Sequence, residues 1–160
     1  MNESPAVLYP NQPIYAVSRN ILDDLKKRAL DAPLKRARLC LHHSPNDAIQ
    51  EMVIAFHQST YIRPHRHHLK TESFHMIEGD VLVVFFDDEG KVTQKLHLST
   101  EKPHPFLYRL STTRWHTVVC LTEYALFHEV TMGPFSPAEF PSWEPKNQPQ
   151  SIALFKESLK

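Results

Sequence analysis

The stretch of this sequence with the most potential for chemistry runs from Arg63 to Gly79 and reads RPHRHHLKTESFHMIEG. It contains four of the eleven histidines of the chain, so a histidine-rich loop without a special function is one interpretation. The spacing favours another interpretation. His65 and His67 are two residues apart, and in an extended segment both imidazoles therefore point to the same side. Two imidazoles on one side of a segment can bind a metal ion together.

A carboxylate and a third imidazole complete a candidate ligand set. Glu72 has the same parity as the apolar Phe74 and Met76, so it faces the core, where an unpaired carboxylate would be costly. A cation bound by the two upstream histidines would remove that cost. Farther along the chain, His116 alternates with Val118 on an apolar strand, and its ring is also expected to face inward.

Three imidazoles and one carboxylate suit one divalent transition metal, and Zn, Fe, Ni and Mn are all compatible with this donor set. Ligands that approach from one side leave coordination positions open for water or a substrate, as catalytic metal sites do. The competing interpretation is a surface loop plus a hydrogen-bonded core histidine. The sequence therefore predicts a metal bound by His65, His67, Glu72 and His116 and leaves the identity of the metal open.

β-Structure must position these residues. Between residues 35 and 131, short apolar segments alternate with turn signals such as SPND and DDEG, a pattern typical of a sandwich or barrel. The predicted strands are 36–42, 50–57, 72–78, 80–86, 91–98, 105–110, 115–121 and 124–131. Residues 1–17 are expected to form an extended arm. Ser18 then caps a helix that runs to about Ala32 and is ended by Pro33.

The segment GPFSPAEFPSWEPKNQPQ after the last predicted strand is too rich in proline to be a central strand. It is expected to wrap the barrel or to reach a partner, with Phe135, Phe140 and Trp143 as anchors. The last ten residues either form a short helix or fray. The chain is thus interpreted as one globular domain with an arm and helix (1–34), a barrel (35–132) and a proline-rich extension (133–160).

The same residues resemble the first cupin motif. His65, His67, Glu72 and Gly79 have its usual spacing, and His116 lies where the second motif places its single histidine, although Ser111, Thr113 and Cys120 replace residues that are common there. The resemblance implies a mainly β fold, the cupin double-stranded β-helix or jelly-roll barrel, here with an N-terminal helix and a proline-rich C-terminal extension. It also implies a metal inside the barrel.

A more specific resemblance is to the WbuC-type cupin metalloproteins, which are often associated with O-antigen polysaccharide gene clusters. It covers about residues 35–145. The segments that carry it are RARLCLHHSPNDAIQEM, YIRPHRHHLKTESFHMIEG, VVFFDDEGKV, YRLSTTRWHTVV and LFHEVTMGPF. The resemblance implies a small-molecule substrate such as a sugar or nucleotide-sugar intermediate of surface polysaccharide synthesis.

Other residues are candidates for substrate chemistry. His128 alternates with Leu126 and either lines the cavity as an acid/base group or is a satisfied core histidine, and Tyr108 is a second candidate for moving a proton. Three basic residues either bind an anionic or sugar substrate at the cavity mouth or are ordinary surface charges, namely Arg63, Lys70 and Arg109.

The composition limits the classes of partner. Eighteen basic residues balance eighteen acidic ones, which argues against nucleic acid or an anionic membrane surface as a partner. Neither a signal peptide nor a membrane span is expected, and the two separate cysteines fit buried thiols in a reducing cytoplasm. The outward strip of Ser73, His75 and Ile77 would suit a homodimer.

Whether the protein is an enzyme stays open at this point. The first hypothesis is a metal-dependent isomerase or epimerase, in which the metal acts as a Lewis acid on a carbonyl or hydroxyl group. An Fe(II)-dependent dioxygenase would use the same ligand set. A non-catalytic small-molecule-binding or sensory module would use the metal only to organise the pocket, and a purely structural metal is a further alternative.

Overall fold

The computed structural model describes residues 6–10 and 12–160, and predictions for residues 1–5 and 11 lie outside them. Within the described residues, nine strands and two helices follow one another along the chain. Their bounds are β1 Val7–Leu8, α1 Arg19–Asp31, β2 Arg36–Cys40, β3 Ile49–His57, β4 Glu72–Glu78, β5 Asp80–Phe86, β6 Val92–Ser99, β7 Leu107–Leu110, β8 Trp115–Cys120, β9 Tyr124–Met132 and α2 Pro149–Leu159.

The strands form two sheets that face each other. One has six strands in the order β1-β2-β3-β9-β4-β7, and the other has three in the order β6-β5-β8. Neighbours that are distant in sequence, such as β3 with β9 and β5 with β8, pair antiparallel, which is the jelly-roll arrangement. The core between the sheets is apolar and aromatic, and its largest members are Phe56, Phe74, Phe85, Tyr108 and Phe127.

Each helix covers the outer face of one sheet. Leu22, Leu25 and Ala29 of α1 pack against β2, β3 and β9, and burying each leucine contributes about 1.5–3 kcal/mol. α1 begins after Ser18, which is the N-cap residue, and the Ser18 side chain makes no capping hydrogen bond within the described part of the chain. At the other end of the chain, Leu159 and Phe155 of α2 pack against β5 and β8. The predicted helix after Ser18 is confirmed.

All eight predicted strands are present, with ends that differ from the prediction by no more than two residues. β1 is the element that the pattern did not reveal. It has only two residues, which pair parallel with β2 at the sheet edge. So short a strand cannot show an alternation of apolar and polar residues. The two cysteines are free and buried.

Gly79 marks the sharp change of direction between β4 and β5. Its φ of +71° is a left-handed value that only glycine adopts at little cost. A Cβ at this position would also lie 2.2 Å from the carbonyl oxygen of Tyr124, so any side chain would force the backbone apart. The glycine of the motif is therefore explained by the turn that starts β5 directly after the strand carrying Glu72.

Neither of the described helices is long and apolar enough to cross a membrane. The mainly β architecture with an N-terminal helix and a proline-rich C-terminal extension is as expected from the sequence, and the extension ends in α2.

Candidate metal centre

Backbone pairing brings two of the predicted ligands together. The His65 and His116 amides each donate to the carbonyl oxygen of the other residue, at 2.9 Å in both directions. Such a pair of opposite residues places its side chains on the same face. The two ring centroids lie 4.4 Å apart, and the ring of His67 lies 5.0 Å from that of His65. One ligand nitrogen from each of the three histidines lies within 4.8 Å of the others.

Backbone carbonyls set the tautomer of two of these imidazoles. Nδ1 of His65 lies 2.8 Å from the carbonyl oxygen of Arg63, and Nδ1 of His116 lies 2.9 Å from that of Arg114. A proton on Nδ1 satisfies each carbonyl, and in a neutral ring Nε2 then carries a lone pair. This second hydrogen bond is typical of histidines that bind metals, because it orients the ring and makes Nε2 more basic.

Glu72 borders the cluster and is held from two sides. Its Oε1 lies 3.0 Å from Nε2 of His116 and also accepts a 3.0 Å hydrogen bond from the hydroxyl of Tyr108. Its Oε2 lies 3.8 Å from Nε2 of His67. The side chain is 5% exposed, so these contacts are what allows a carboxylate to stay inside the barrel. The inward direction predicted for Glu72 is confirmed.

The electrostatics of the site favour a bound cation. Burial lowers the pKa of His65 to about 3 and also lowers the pKa of His67, so both rings are neutral near pH 7. Burial raises the pKa of Glu72, but the hydrogen bond with His116 and the charge interactions with the three histidines together outweigh burial, and the pKa falls to about 2. Burial lowers the pKa of His116, but the hydrogen bond to Glu72 and the negative charge of Glu72 together raise it overall. Two neutral imidazoles and an ionised carboxylate are suitable ligands for a divalent metal.

His67 shows a polar atom that the described residues do not satisfy. Its Nδ1 is buried and has no hydrogen-bond partner among them. Buried polar atoms in native proteins rarely lack a partner, and such exceptions often mark a bound ion or water. Together with Nε2 of His65 and the ionised carboxylate of Glu72, this atom shows that the donor set fits a divalent transition metal.

Two predicted catalytic residues have different positions. Tyr108 is buried at the site through its bond to Glu72. His128, in contrast, pairs with Val53 and His75 on the outer face of the large sheet, and its Nε2 lies 2.9 Å from a carboxylate oxygen of Glu51. The expectation that His128 lines the cavity is thereby corrected, because the residues of its parity face away from the core.

The three predicted substrate-binding residues are not assembled around the cluster. Arg109 is opposite Ser73 on the outer face of the large sheet, on the far side from the core. Arg63 binds the carboxylate of Glu144, with a 2.8 Å bond from its Nε. Lys70 donates to the carbonyl oxygen of Pro134 at 3.0 Å. The structure thus uses Arg63 and Lys70 to hold the C-terminal extension, a role that the sequence did not reveal.

Glu129 is an interior residue that the sequence reasoning missed. It is paired with Phe74 and Met52, and therefore lies on the core face of β9. Burial, followed by the negative charge of Glu72, raises the pKa of Glu129 to about 8. The alternation of Ala125, Phe127 and Glu129 could have indicated that Glu129 faces the core. The other face of β9 is also apolar, however, because it packs against α1, so the alternation did not distinguish the two faces.

The comparison with protein families gives a direct assignment. A family model described as "Domain of unknown function (DUF6016)" matches residues 17–98, just over half of the chain. The chain belongs to the DUF6016 family. The match includes α1 and the segment with His65, His67 and Glu72, and ends before β8. No curated protein sequence matches the chain.

Solved structures show the fold of this DUF6016 member. Protein SO0799 from Shewanella oneidensis aligns with a TM-score of 0.54 and 10% identity, over 64% of this chain and 72% of that one. The L-ribose isomerase of Cellulomonas parahominis aligns with a TM-score of 0.50 and 14% identity, over 61% and 60%. A cupin superfamily protein from Desulfitobacterium hafniense aligns with a TM-score of 0.47 and 14% identity, over 61% and 76%. The fold is the cupin double-stranded β-helix.

Proposed function

We propose that this protein is a metal-dependent enzyme that acts on a small molecule inside the cupin barrel. One divalent transition metal is held by His65, His67, Glu72 and His116. The observation that carries this proposal is the convergence of three imidazoles within 4.8 Å. Backbone carbonyls orient two of them through Nδ1, so that Nε2 of His65 is left free and Nε2 of His116 points to the carboxylate of Glu72. The metal is Zn, Fe, Ni or Mn, since three imidazoles and one carboxylate suit each of them.

The bound metal would supply Lewis acidity to a carbonyl or hydroxyl oxygen of the substrate. Tyr108 keeps the carboxylate of Glu72 in one orientation by donating a hydrogen bond to it. Glu129 lies on the same interior face, and its pKa of about 8 allows it to hold or release a proton near neutral pH. Glu129 therefore takes the acid/base role that the sequence had suggested for His128, with Tyr108 as the second candidate.

The substrate class in this proposal is a sugar or nucleotide-sugar intermediate of surface polysaccharide synthesis in the cytoplasm. Its support is the resemblance to the WbuC-type cupins over about residues 35–145. The arginine and lysine side chains nearest the metal loop are engaged by the C-terminal extension. Substrate recognition would therefore depend on hydroxyl and metal contacts more than on a cluster of basic side chains.

Turnover tests this function. The protein, freed of metal and loaded separately with Zn, Ni, Mn or anaerobic Fe(II), is incubated with a panel of aldoses, ketoses and nucleotide sugars. Isomerisation or epimerisation followed by NMR, and absent in His116→Ala, is the expected result. Oxygen consumption that requires Fe(II) would favour a dioxygenase instead. Ligand binding without any turnover would contradict the enzyme and favour a binding or sensory module.

The proposal includes a homodimer formed through the outer face of the large sheet. Ser73 and His75 lie on this face, as their parity predicted, whereas Ile77 falls at the bulge of β4 and packs into the apolar cluster under α1. Apolar side chains near them are exposed, notably Leu107, Ile49 and Met132, whose exposed fractions are 50%, 59% and 50%. Light scattering coupled to size exclusion tests the dimer: Leu107→Asp should convert a two-chain species into a single chain, and a monomeric wild type would contradict it.

A further inference from the structure

The loop that carries His65 and His67 is hydrogen-bonded on both of its edges. On one edge, His65 exchanges two backbone bonds with His116 of β8. On the other edge, the amide of Arg66 donates to the carbonyl oxygen of Glu139 at 3.1 Å, and the amide of Glu139 donates back to Arg66 at 3.0 Å. The loop is thus the middle strand of a short three-stranded arrangement, and its outer strand comes from the C-terminal extension.

Side chains reinforce the same contact. Arg66 binds Glu139 through two parallel hydrogen bonds of 2.8 Å, and Nε2 of His68 lies 2.5 Å from the same carboxylate. A second ion pair joins Arg63 to Glu144, and the guanidinium of Arg63 also lies 3.7 Å above the ring of Phe140. Bidentate arginine–carboxylate pairs fix both partners in orientation as well as in distance.

The extension is anchored away from the histidines. The ring of Trp143 packs 5.0 Å from Phe86 and 6.2 Å from Trp115, and a Cβ on Gly90 would come within 2.7 Å of it. Farther along, α2 packs against the outer face of the small sheet. The extension therefore has its own attachment to the barrel, independent of the histidine cluster, and can hold the loop in place from that attachment.

We propose that residues 134–144 form a strap that fixes the metal-binding loop, and that Glu139 is its main positioning residue. This inference rests on the proposed metal site. Glu139 does not reach the histidine cluster itself; it acts through Arg66 and His68, which alternate with His65 and His67 along the loop. Loss of its carboxylate lets the loop leave β8 more often, so the three imidazoles are aligned for a smaller fraction of the time.

Glu139→Gln tests the strap, with Glu101→Gln as the matched control, because Glu101 is an exposed loop residue outside the strap. The first readout is the Kd for Zn²⁺, from competition with a chromophoric chelator. Loss of a group that hydrogen-bonds a metal ligand directly weakens metal binding by about 10–100-fold. Glu139 acts one contact farther out, so we expect a loss of no more than about tenfold for Glu139→Gln and no change for Glu101→Gln. Glu139→Asp, which keeps the charge, should recover part of the affinity.

The second readout is amide hydrogen exchange of residues 63–68 in the metal-free protein. Exchange at His65 and Arg66 should accelerate in Glu139→Gln, while exchange in the core of β5 stays at its wild-type rate. Unchanged exchange in this loop and an unchanged Kd would overturn the strap. If wild-type protein fails to bind Zn²⁺, the proposed metal function falls, and the exchange measurement alone then decides whether the strap exists. Accelerated exchange throughout the barrel would also overturn it, because Glu139 would then stabilise the whole fold.

Discussion

At the scale of single residues, the centre of the site depends on how Glu72 is satisfied. This buried carboxylate accepts hydrogen bonds from Tyr108 and His116 through the same oxygen, Oε1. A charged group in the interior is tolerated only when it is hydrogen-bonded. Removing one partner destabilises the folded state, because part of the free-energy cost of taking the charge out of water is then no longer offset. Tyr108 therefore contributes to stability as well as to the geometry of the site.

Tyr108→Phe should lower the free energy of unfolding of the metal-free protein by about 1.5–3 kcal/mol, as expected for a hydrogen bond to a charged group. Tyr61→Phe is the matched control, because the Tyr61 hydroxyl is buried without a partner among the described residues. Removing that hydroxyl should be neutral or stabilising. Urea unfolding at pH 7 measures both variants, and equal losses would contradict the role assigned to Tyr108.

Glu129 predicts a specific pH dependence of stability. Its pKa is raised from 4.5 to about 8 in the folded protein, so the folded state binds the proton more tightly than the unfolded state. The resulting stabilisation is complete below about pH 4.5 and is lost as the pH rises toward 8. Relative to Glu129→Gln, the wild type should therefore lose on the order of 2 kcal/mol between pH 5 and pH 8, after allowance for partial exposure.

Urea unfolding of both proteins at the two pH values checks this difference. Glu123→Gln, a change at an exposed carboxylate, is the control and should leave the pH dependence of the wild type unchanged. A Glu129→Gln variant with the same pH dependence as the wild type would show that Glu129 titrates as an ordinary surface carboxylate, and would remove it as the acid/base candidate.

At the scale of elements, strands were easier to predict than the direction in which their residues face. Polar residues alternate with apolar ones in β4, and Glu72 was placed correctly from that pattern. β9 is apolar on both faces in its first half, because the core lies on one side and α1 on the other. Alternation then cannot separate the two faces, and His128 was assigned to the wrong one.

The partners of the loop arginines could not be predicted from the sequence. Arg63 and Glu144 are 81 residues apart, and Arg66 and Glu139 are 73 apart. No local pattern connects a basic loop to a distant proline-rich segment, so Arg63 was predicted to bind a substrate and the role of Arg66 was not predicted. The sequence did predict that aromatic residues of the extension anchor it to the barrel, but only some of the predicted residues do so in the structure.

Trp143 is the aromatic anchor of the strap in the structure, whereas Phe135 has an exposed fraction of 64%. Trp143→Ala should lower the free energy of unfolding by about 2 kcal/mol, because a large, half-buried side chain is removed from between Phe86 and Trp115. Phe135→Ala should cost less than about 0.5 kcal/mol. Thermal and urea unfolding measure both, and similar losses would mean that Trp143 does not anchor the strap.

At the scale of the whole molecule, most of the fold could be predicted from the sequence and part of the site could not. Regular turn signals separated the eight strands of the barrel, and Gly79 and the histidine spacing indicated where the ligands would meet. The convergence of His65 with His116 depends on a cross-strand pair that no local pattern encodes. The interior position of Glu129 depends on sheet pairing, and the strap depends on two segments, residues 63–68 and 134–144, that meet only in the folded molecule.

The central claim is that His65, His67, Glu72 and His116 bind one divalent metal, and metal stoichiometry after reconstitution tests it most directly. Metal-free, tag-free protein is loaded with Zn²⁺ or Fe(II), desalted and measured by plasma mass spectrometry. His65→Ala and His116→Ala are compared with His43→Ala, which changes an exposed histidine outside the cluster. We expect about one metal per chain in the wild type and in His43→Ala, and a loss in both cluster variants. A wild type that retains no metal, or cluster variants that retain as much as the wild type, would contradict the claim.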